Sequence, residues 1–261
     1  MSKIIDCCTY NGECELFEIR YNVLKSCVDE FIVVEFDKTF SGKPKESTFI
    51  HQNLPKVAYK FIRSDFCEKY RELAKSSPNT IGAEHWKTEF TMKESIKDCL
   101  THLKDDDIVF VGDCDEIWNN KFIEYFKAVS QRGIKIPLQV YTYYLNNKSS
   151  EIFFGTLISQ YKNIKDGILN HLRTNSSKPE IKDKSVLGWH FTSMHHQLAK
   201  KLEDGYTKED YPAFEEITAN LEDNIKNSRD FLGRGFTYRV DESDWPQYLL
   251  DNREKYKHLL K

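Results

Sequence analysis

Three carboxylates stand close together directly after a short apolar stretch of the chain. Residues 108–111 (Ile-Val-Phe-Val) are β-branched or aromatic without a polar interruption, which is typical of a strand buried on both faces. Gly112 follows, where we expect the backbone to turn, and then come Asp113, Asp115 and Glu116. In open α/β sheets, ligands bind beyond the carboxyl ends of the strands, so this position indicates a functional site.

An Asp-x-Asp pair suits a hard divalent cation that completes its coordination with water and with the oxygens of a substrate diphosphate. The cation also relieves the repulsion between neighbouring carboxylates, which otherwise raises the pKa of one of them. The alternative is a solvated turn or a helix N-cap, where Asp is common, and residues 105–107 (Asp-Asp-Asp) provide a second instance of the pattern. The position between a buried strand and the helix-like segment 119–130 favours a metal–diphosphate site.

Composition excludes several classes of protein. The chain has 261 residues, of which 39% are hydrophobic, enough for the core of a large α/β domain. Its net charge of -3 is too small, and its Lys and Arg residues are too dispersed, for nucleic acid to be the expected partner. No stretch reaches the ~20 apolar residues of a membrane-spanning helix, and the N-terminus does not resemble a signal peptide. We therefore expect a soluble protein.

The seven cysteines all lie at or before position 114. Their number is odd and they form no Cys-x-x-Cys pair, so the sequence indicates neither a disulfide framework nor a zinc site. Several lie in apolar segments, where a free cysteine behaves as a small hydrophobic residue. Reduced thiols in a reducing compartment are the simplest interpretation.

The pattern of apolar residues predicts alternating strands and helices in the first half of the chain. Strands are expected at residues 3–9 and 31–36, with an amphipathic helix at 13–26 between them. This order is typical of a right-handed βαβ unit with parallel strands. A third strand is expected at 57–62, and a long helix at 84–103 leads into the acidic strand.

The second half of the chain reads as a mixture of strands and helices. Strand-like segments at 134–145, 151–159 and 188–192 indicate that the sheet becomes mixed there. Residues 194–230 have a helical and strongly charged pattern, and 245–260 predict an amphipathic helix that docks on the core.

The predicted fold class is therefore α/β, with a mixed, mostly parallel central sheet flanked by helices and a C-terminal helical extension. We expect one domain over residues 1–240 and a C-terminal helix over 241–261 that docks on the same domain.

Four stretches, in the same order along the chain, resemble glycosyltransferase family 17. They are residues 4–20, 33–45 (Val-Val-Glu-Phe-Asp-Lys-Thr-Phe-Ser-Gly-Lys-Pro-Lys), 105–117 and 188–192 (Gly-Trp-His-Phe-Thr). The second and third stretches are the most specific. Known members of the family include the β-1,4-N-acetylglucosaminyltransferase that adds the bisecting residue to N-glycans.

The resemblance implies a nucleotide-sugar transferase of the GT-A (Rossmann-like) type, which uses Mn²⁺ or Mg²⁺ and inverts the anomeric configuration. Asp113 and Asp115 match its metal motif, and His190 is the candidate for a third metal or diphosphate contact. Trp86, Glu89 and Lys93 resemble a Trp/Glu/Arg helix of the family, with Lys93 in the place of Arg. The expected donor-binding residues are Thr9, Glu35, Lys43, Asp65, Lys93 and Asp113.

An inverting transfer also requires a base that takes the proton of the acceptor hydroxyl. Three carboxylates are candidates for this base, namely Glu116, Glu151 and Glu180. Three aromatic side chains are candidates for the platform that binds the acceptor sugar, with packing in the core as the alternative for each; they are Tyr143, Tyr144 and Trp189.

The expected activity is transfer of a sugar, with N-acetylglucosamine as the candidate, from a UDP-sugar or related donor to a glycan hydroxyl. One alternative is a sugar nucleotidyltransferase, although residues 9–13 (Thr-Tyr-Asn-Gly-Glu) match its Gly-rich phosphate loop poorly. The other is a non-catalytic glycan- or nucleotide-binding module, which the intact Asp-Cys-Asp-Glu disfavours. Animal members of the family carry an N-terminal membrane anchor that this sequence does not show. We therefore expect a cytoplasmic enzyme of microbial or viral type.

Overall fold

The computed structural model describes residues 2–75, 77, 84–176, 186–205 and 214–261, and within these residues the chain forms an α/β fold around a nine-stranded sheet. One half of the sheet is parallel and the other half is mainly antiparallel. The predicted α/β class and mixed sheet are confirmed. The parallel pairings are a smaller share of the sheet than we expected.

The parallel half contains four strands in the order β3-β2-β1-β4. They are β1 (Ile4–Thr9), β2 (Glu30–Phe36), β3 (Val57–Ile62) and β4 (Ile108–Asp113). Strands β1, β2 and β4 are buried along almost their whole length, as parallel strands covered on both faces are. Their carboxyl ends lie at one edge of the sheet, because Thr9 pairs with Asp113 in the register of β1 and β4.

Side chains of β1 alternate between two hydrophobic layers, one on each face of the sheet. Ile4 and Cys8 belong to the larger layer, which includes the apolar side of α1 (Cys14–Leu24). Ile5 and Cys7 belong to the second layer, together with residues of the helical segment that precedes β4. The strand–helix–strand order predicted from the sequence is confirmed.

In the described residues between β3 and β4, the chain forms two α-helices. Helix α2 (Glu68–Lys75) follows a 3₁₀ turn, and α3 (Glu84–Ser95) continues into another 3₁₀ turn (Ile96–Cys99). The long helix predicted for residues 84–103 is therefore shorter than expected. Helix α2 was not predicted, because its residues are mostly polar.

Strand β4 continues through Gly112 to Asp113, so the turn expected at Gly112 is wrong. The glycine is needed for a close approach instead. A Cβ atom there would lie 2.6 Å from the Thr156 hydroxyl and 2.7 Å from a carboxylate oxygen of Glu116. The chain turns after Asp113 and forms the short strand β5 (Glu116–Trp118), which was not predicted.

The other strands are β6 (Ile134–Thr142), β7 (Asn147–Gln160), β8 (Gly188–Thr192) and β9 (Tyr238–Val240). Strand β7 is antiparallel to β4, β6 and β9, whereas β8 is parallel to β6 and antiparallel to β5. The strands predicted near 134–145 and 151–159 are confirmed with shifted ends, and the strand at 188–192 is confirmed with the same ends.

Short helices connect these strands. They are a 3₁₀ turn (Asn120–Phe122), α4 (Ile123–Val129), a 3₁₀ turn (Ser130–Arg132), α5 (Tyr161–Asp166), α6 (Leu169–Asn175), α7 (Leu198–Gly205), α8 (Phe214–Ala219) and α9 (Leu221–Asn227). In the described parts of the chain, no helix has both the length and the apolar character that crossing a membrane requires.

The C-terminal segment packs into the larger hydrophobic layer. It forms α10 (Gln247–Asp251) and a 3₁₀ helix (Arg253–Leu259) that are separated at Asn252, rather than the single helix we expected. Trp245 is buried and its indole N–H donates to the carbonyl of Leu145 at 2.9 Å. Leu249 is fully buried in the same layer.

Candidate active site

A cleft of about 480 Å³ lies beyond the carboxyl ends of β1, β2 and β4, and extends to β6, β7 and β8. Residues of α3, α6 and α7 also line it. Its charged lining residues are Glu13, Lys38, Lys45, Glu89, Lys93, Asp113, Asp115, Glu116, Glu151, Arg173, His190, Lys201, Asp204 and Arg234. A cleft with this much charge suits a ligand with several anionic groups and hydroxyls.

Asp113 is the last residue of β4 and is fixed by the neighbouring strand. The hydroxyl of Thr9 donates to Asp113 Oδ1 at 2.8 Å, because the two residues are paired in register. Lys93 Nζ lies 3.4 Å and an Arg173 guanidinium nitrogen 3.6 Å from Asp113 Oδ2. Burial alone would raise the pKa of Asp113, but Lys93 and Arg173 lower it well below its usual range. This carboxylate is therefore ionised at neutral pH.

Asp115 faces a different pair of cationic groups. His190 Nε2 lies 3.4 Å from Asp115 Oδ1, and Lys201 Nζ lies 3.5 Å from Asp115 Oδ2. Burial opposes ionisation, but His190 and Lys201 lower the pKa of Asp115 to about 2. The other ring nitrogen of His190, Nδ1, is buried and has no hydrogen-bond partner among the residues that the structure describes. His190 comes to this position because β8 pairs with β5, with Glu116 opposite His190.

A buried arginine fixes the turn that carries the acidic motif. Arg20 of α1 is fully buried and forms two hydrogen bonds with the Asp6 carboxylate, at 2.6 and 2.8 Å. Its guanidinium also donates to the carbonyls of Asp113 at 3.0 Å and Glu116 at 2.6 Å. Arg20 thus holds both ends of the turn in place and is fully engaged in doing so.

Glu116 occupies a tight space under the cleft. It is 1% exposed, and its carboxylate accepts a hydrogen bond from the Thr156 hydroxyl at 3.0 Å. A Cβ atom at Gly155 would lie 2.7 Å from its carboxyl carbon, so the glycine makes room for this side chain. Burial, and then the charge of Asp113, raise the pKa of Glu116.

Asp113, Asp115 and His190 could supply some of the ligands of a divalent cation. Asp113 and Asp115 offer carboxylate oxygens, the ligands that Mn²⁺ and Mg²⁺ prefer, and His190 adds a ring nitrogen at one side. Within the described ranges, no group of three or more His, Cys, Asp or Glu side chains is already arranged around a metal position. The arrangement suits a cation that takes its remaining ligands from a bound diphosphate.

The end of the cleft near β1 and β2 is more aromatic. Tyr10, Phe36 and Phe40 line it, together with Lys38 and Lys45. These side chains lie beyond the carboxyl ends of two adjacent parallel strands, which is where α/β sheets bind nucleotides.

Two predicted donor-binding residues are engaged elsewhere, and a third is outside the cleft. The buried Glu35 carboxylate accepts hydrogen bonds from the hydroxyls of Tyr59 and Thr48, at 2.6 and 2.8 Å. Lys43 is exposed and pairs with Glu203 at 2.6 Å. Asp65 is exposed and is not among the residues that line the cleft. The structure places Thr9, Lys93 and Asp113 in the cleft but not these three.

The three aromatic residues expected to bind the acceptor are not among the described lining of the cleft either. Tyr143 is fully buried and donates to the carbonyl of Arg229, and Tyr144 stacks on His195. Trp189 is buried on the other face of β8 from His190, because successive side chains of a strand point to opposite faces. The pair Trp189 and His190 could not both face the cleft.

Part of the cleft lining comes from β7 and from residues 231–234. Glu151 and Phe153 of β7 line the cleft together with Phe231, Leu232 and Arg234. Glu151 has 17% of its side chain exposed and lies 3.5 Å from Arg234. Glu116 and Glu151, two of the predicted catalytic carboxylates, are thus at the cleft. Glu180 lies outside the described residues.

Several charged cleft residues were missed in the sequence, and Arg173, Lys201 and Glu13 are three of them. Arg173 lies on α6, which the sequence pattern did not separate from a polar linker, and Lys201 lies on α7 in a highly charged segment. Glu13 follows β1, and its carboxylate accepts a hydrogen bond from the backbone N–H of Asn11 at 2.6 Å. Burial raises the pKa of Glu13. No local spacing links these residues to the acidic motif, so only the fold reveals them.

Comparison with known proteins gives one family match. The model of "Glycosyltransferase family 17" matches residues 1–204. No curated protein sequence matches significantly. Among solved structures, mouse xyloside xylosyltransferase 1 in its apo form is similar at 8% identity, with 65% of this chain and 71% of that chain covered and a TM-score of 0.35.

Two structures of LgtC are similar at the same level. An active-site mutant shares 10% identity, with a TM-score of 0.36. The galactosyltransferase LgtC in complex with donor and acceptor sugar analogs shares 9% identity, with a TM-score of 0.34. In both cases 64% of this chain is covered, and the match spans 60% of the LgtC chain.

Proposed function

The chain belongs to glycosyltransferase family 17, and we propose that its cleft transfers a sugar from a nucleoside diphosphate sugar to a glycan hydroxyl, with inversion and with the help of a divalent cation. The observation that carries this proposal is the placement of Asp113 and Asp115. Both are ionised, both lie beyond the carboxyl end of β4, and both face a cleft that also contains lysine and arginine side chains.

We infer the orientation of the donor from the side chains that line the two ends of the cleft. The nucleoside lies near Tyr10, Phe36 and Phe40, where aromatic rings and the strand ends meet. The diphosphate then reaches Asp113 and Asp115. A Mn²⁺ or Mg²⁺ ion held by these carboxylates, with His190 as a further contact, would neutralise the charge of the leaving diphosphate.

In the transfer step, the bond between the anomeric carbon and the diphosphate oxygen breaks, and its electron pair leaves with the nucleoside diphosphate. The acceptor oxygen bonds to the anomeric carbon from the opposite side, and its proton passes to a protein base. The Lys93 and Lys201 side chains lie next to the carboxylates of the motif, where they favour a negatively charged leaving group.

Glu151 is our choice for this base. It lies on the wall of the cleft with part of its side chain exposed, so an acceptor hydroxyl can reach it. Glu116 is almost completely buried and is engaged by Thr156, which makes it unsuitable for direct contact with an acceptor. Phe153 and Phe231 lie on the same side as Glu151 and provide apolar surface for a sugar ring.

Further assignments rest on the family. We propose a UDP-sugar as the donor, with N-acetylglucosamine as the sugar, and a GT-A type of domain. All seven cysteines are free thiols, and their side chains include the fully buried Cys7. A reducing compartment such as the cytoplasm is therefore our proposed location.

The proposal is tested by incubating the protein with Mn²⁺, a panel of nucleoside diphosphate sugars and β-linked oligosaccharides, and measuring released nucleoside diphosphate. We expect release from one donor, faster when an acceptor is present, and a product of inverted anomeric configuration. Consumption of no donor, or formation of a nucleotide sugar from a sugar phosphate and a nucleoside triphosphate, would contradict the proposal.

The role of Glu151 is tested in the same assay. Glu151→Gln should lower the transfer rate by about 100-fold or more, because general base catalysis typically contributes ~10²–10⁴-fold. Its affinity for nucleoside diphosphate should stay unchanged. Glu124→Gln, on an exposed carboxylate outside the cleft, is the matched control and should transfer at the wild-type rate. Equal rates for both variants would remove Glu151 from the mechanism.

A further inference from the structure

Arg173 approaches the acidic motif from α6, a helix that follows β7 in the chain. We propose that Arg173 binds the diphosphate of the donor together with Lys93, and that Glu94 is the positioning residue that holds the two helices carrying them. This inference rests on the proposed function and assigns specific residues to one part of its substrate. Arg173 and Lys93 both line the cleft, and both lie on the same side of Asp113.

The Arg173 guanidinium is close to carboxylates without being tightly bound to them. Its nitrogen atoms lie 3.6 Å from Asp113 and 3.8 Å from Glu116, whereas charge-assisted hydrogen bonds are typically about 2.7–2.9 Å long. Arg20, in contrast, forms hydrogen bonds of 2.6 to 3.0 Å with the groups it holds. Arg173 therefore has donors to offer a ligand, while Arg20 is structural.

The chemistry of the side chain matches the expected ligand. A guanidinium is a planar fork that binds two phosphate oxygens at once and keeps its charge when buried. Only 13% of the Arg173 side chain is exposed, so an anion bound there is partly shielded from water. Burial lowers the pKa of Arg173, but the nearby carboxylates of Asp113 and Glu116 raise it by more than burial lowers it. The guanidinium therefore stays charged.

Glu94 attaches α6 to α3. It is fully buried, and its carboxylate accepts hydrogen bonds from the backbone N–H groups of Leu169 at 3.0 Å and Asn170 at 3.1 Å. The Asn170 side-chain amide donates to the same carboxylate at 2.9 Å. These contacts tie the first turn of α6 to α3 at the residue next to Lys93.

Lys97 of the 3₁₀ turn after α3 strengthens the same attachment between α3 and α6. Lys97 Nζ donates to the carbonyl of Gly167 at 2.6 Å, just before α6, and lies 3.3 Å from Glu94. Buried contacts between α3 and α6 thus position Arg173 relative to Lys93, whose ammonium also lies 2.5 Å from the Glu89 carboxylate. Two cations at a fixed spacing can recognise two linked phosphates, and a single phosphate uses the pair less well.

The test compares the binding of UDP and UMP by calorimetric titration in the presence of Mn²⁺. If wild type prefers another nucleotide, GDP and GMP or CDP and CMP replace this pair. Arg173→Gln should weaken diphosphate binding by about 10- to 100-fold, the effect of losing charge-assisted hydrogen bonds. Monophosphate binding should change much less. Arg239→Gln, on an exposed arginine outside the cleft, is the control and should bind like wild type.

Two further variants keep the test decisive. Arg173→Lys retains the charge without the planar fork and should bind the diphosphate with intermediate affinity. Such binding would also show that a substitution at this position leaves the protein folded. Glu94→Gln should raise the KM for the donor with little change in kcat, and should add little to Arg173→Gln in the double variant, because both act on one contact. Additive losses would show that Glu94 is only structural.

The outcomes separate this inference from the proposed function. If wild type binds a nucleoside diphosphate and folded Arg173→Gln keeps the same preference for diphosphate over monophosphate, Arg173 does not bind the diphosphate and the inference is overturned. If wild type binds no nucleoside diphosphate with Mn²⁺, the proposed function itself fails and this inference fails with it.

Discussion

Each of the two aspartates, Asp113 and Asp115, is accompanied by a lysine of the protein. Lys93 lies next to Asp113 and Lys201 lies next to Asp115. Burial would favour the protonated acids, but the neighbouring cations lower both pKa values, so two ionised carboxylates face the cleft. Two ionised carboxylates can bind a divalent cation without first losing protons.

The sequence was most informative where function depends on a short local pattern. Asp113, Asp115 and His190 were selected from the sequence, and the structure brings them to one place. Arg173 and Lys201 could not be selected, because their approach depends on the packing of short helices far along the chain. Glu35 lies in a specific sequence block, yet its carboxylate is used within the protein rather than in the cleft.

Glu35 leads to a prediction about stability and pH. Burial opposes its ionisation, but hydrogen bonds from Tyr59 and Thr48 lower its pKa below the ordinary value. A lowered pKa in the folded state means that the ionised carboxylate stabilises the protein above its unfolded pKa, and that this contribution is lost as the pH falls through the folded pKa. Glu35→Gln should therefore cost about 1–3 kcal/mol at pH 7 and progressively less in acid.

Urea denaturation of wild type and Glu35→Gln between pH 7 and pH 3 measures this difference. Glu46→Gln makes the same chemical change on an exposed residue of the segment that follows β2, and should be nearly neutral at every pH. A difference between wild type and Glu35→Gln that stayed constant with pH would show that the Glu35 charge is not responsible.

At the scale of elements, two glycines show how the sheet accommodates the site. Gly112 on β4 and Gly155 on β7 both leave space for the Glu116 side chain, which starts from β5. The sequence pattern predicted a turn at Gly112, because a glycine after a strand usually marks one. Only the neighbouring strands reveal that the missing Cβ is what matters.

Gly155→Ala should displace the Glu116 carboxylate, since the added Cβ would lie 2.7 Å from its carboxyl carbon. We expect a loss of about 1–3 kcal/mol of unfolding free energy, the usual cost of overpacking a core. Donor affinity should also fall, because Glu116 lies beside Arg173. Chemical denaturation and donor titration measure the two effects.

A double variant identifies the cause of this loss. In a Glu116→Ala background the clash is absent, so adding Gly155→Ala should cost much less than it does in wild type. Equal costs in both backgrounds would show that Gly155 is needed for a reason unrelated to Glu116.

The positions of most strands and helices followed from apolar periodicity, because buried parallel strands and amphipathic helices have clear patterns. The exceptions are physically understandable. Helix α2 is too polar to be recognised, and β5 and β9 are each only three residues long. Tyr143, Tyr144 and Trp189 lie outside the described lining of the cleft, because a strand pattern shows that side chains alternate without showing which face meets the cleft.

At the scale of the molecule, the C-terminal segment is part of the main core. The family match covers residues 1–204, but Trp245, Leu249 and Tyr256 pack in the same hydrophobic layer as β1 and α1. We therefore propose that residues 241–261 fold together with the rest of the chain in one cooperative unit.

Two adjacent leucines test this proposal. Leu249 is fully buried and Leu250 is 42% exposed. Leu249→Ala should lower the unfolding free energy by about 2–5 kcal/mol, whereas Leu250→Ala should change it by less than about 0.5 kcal/mol. Thermal unfolding should remain a single transition. A separate early transition in Leu249→Ala would show that the C-terminal segment is an independent attachment.

The central claim is that Asp113 and Asp115 bind a divalent cation together with a nucleoside diphosphate. The most direct measurement is the melting temperature with and without Mn²⁺ in the presence of UDP, GDP, CDP or ADP. A ligand at a hundredfold excess over its Kd stabilises the native state by about 2.7 kcal/mol, which corresponds to a shift on the order of 5 °C for a protein of this size.

We predict a shift with one nucleoside diphosphate that requires Mn²⁺ and is lost in Asp115→Asn. Asp106→Asn, on an exposed carboxylate of the Asp-Asp-Asp segment, should keep it. No Mn²⁺-dependent shift with any of the four diphosphates, or the same shift in Asp115→Asn as in wild type, would contradict the account.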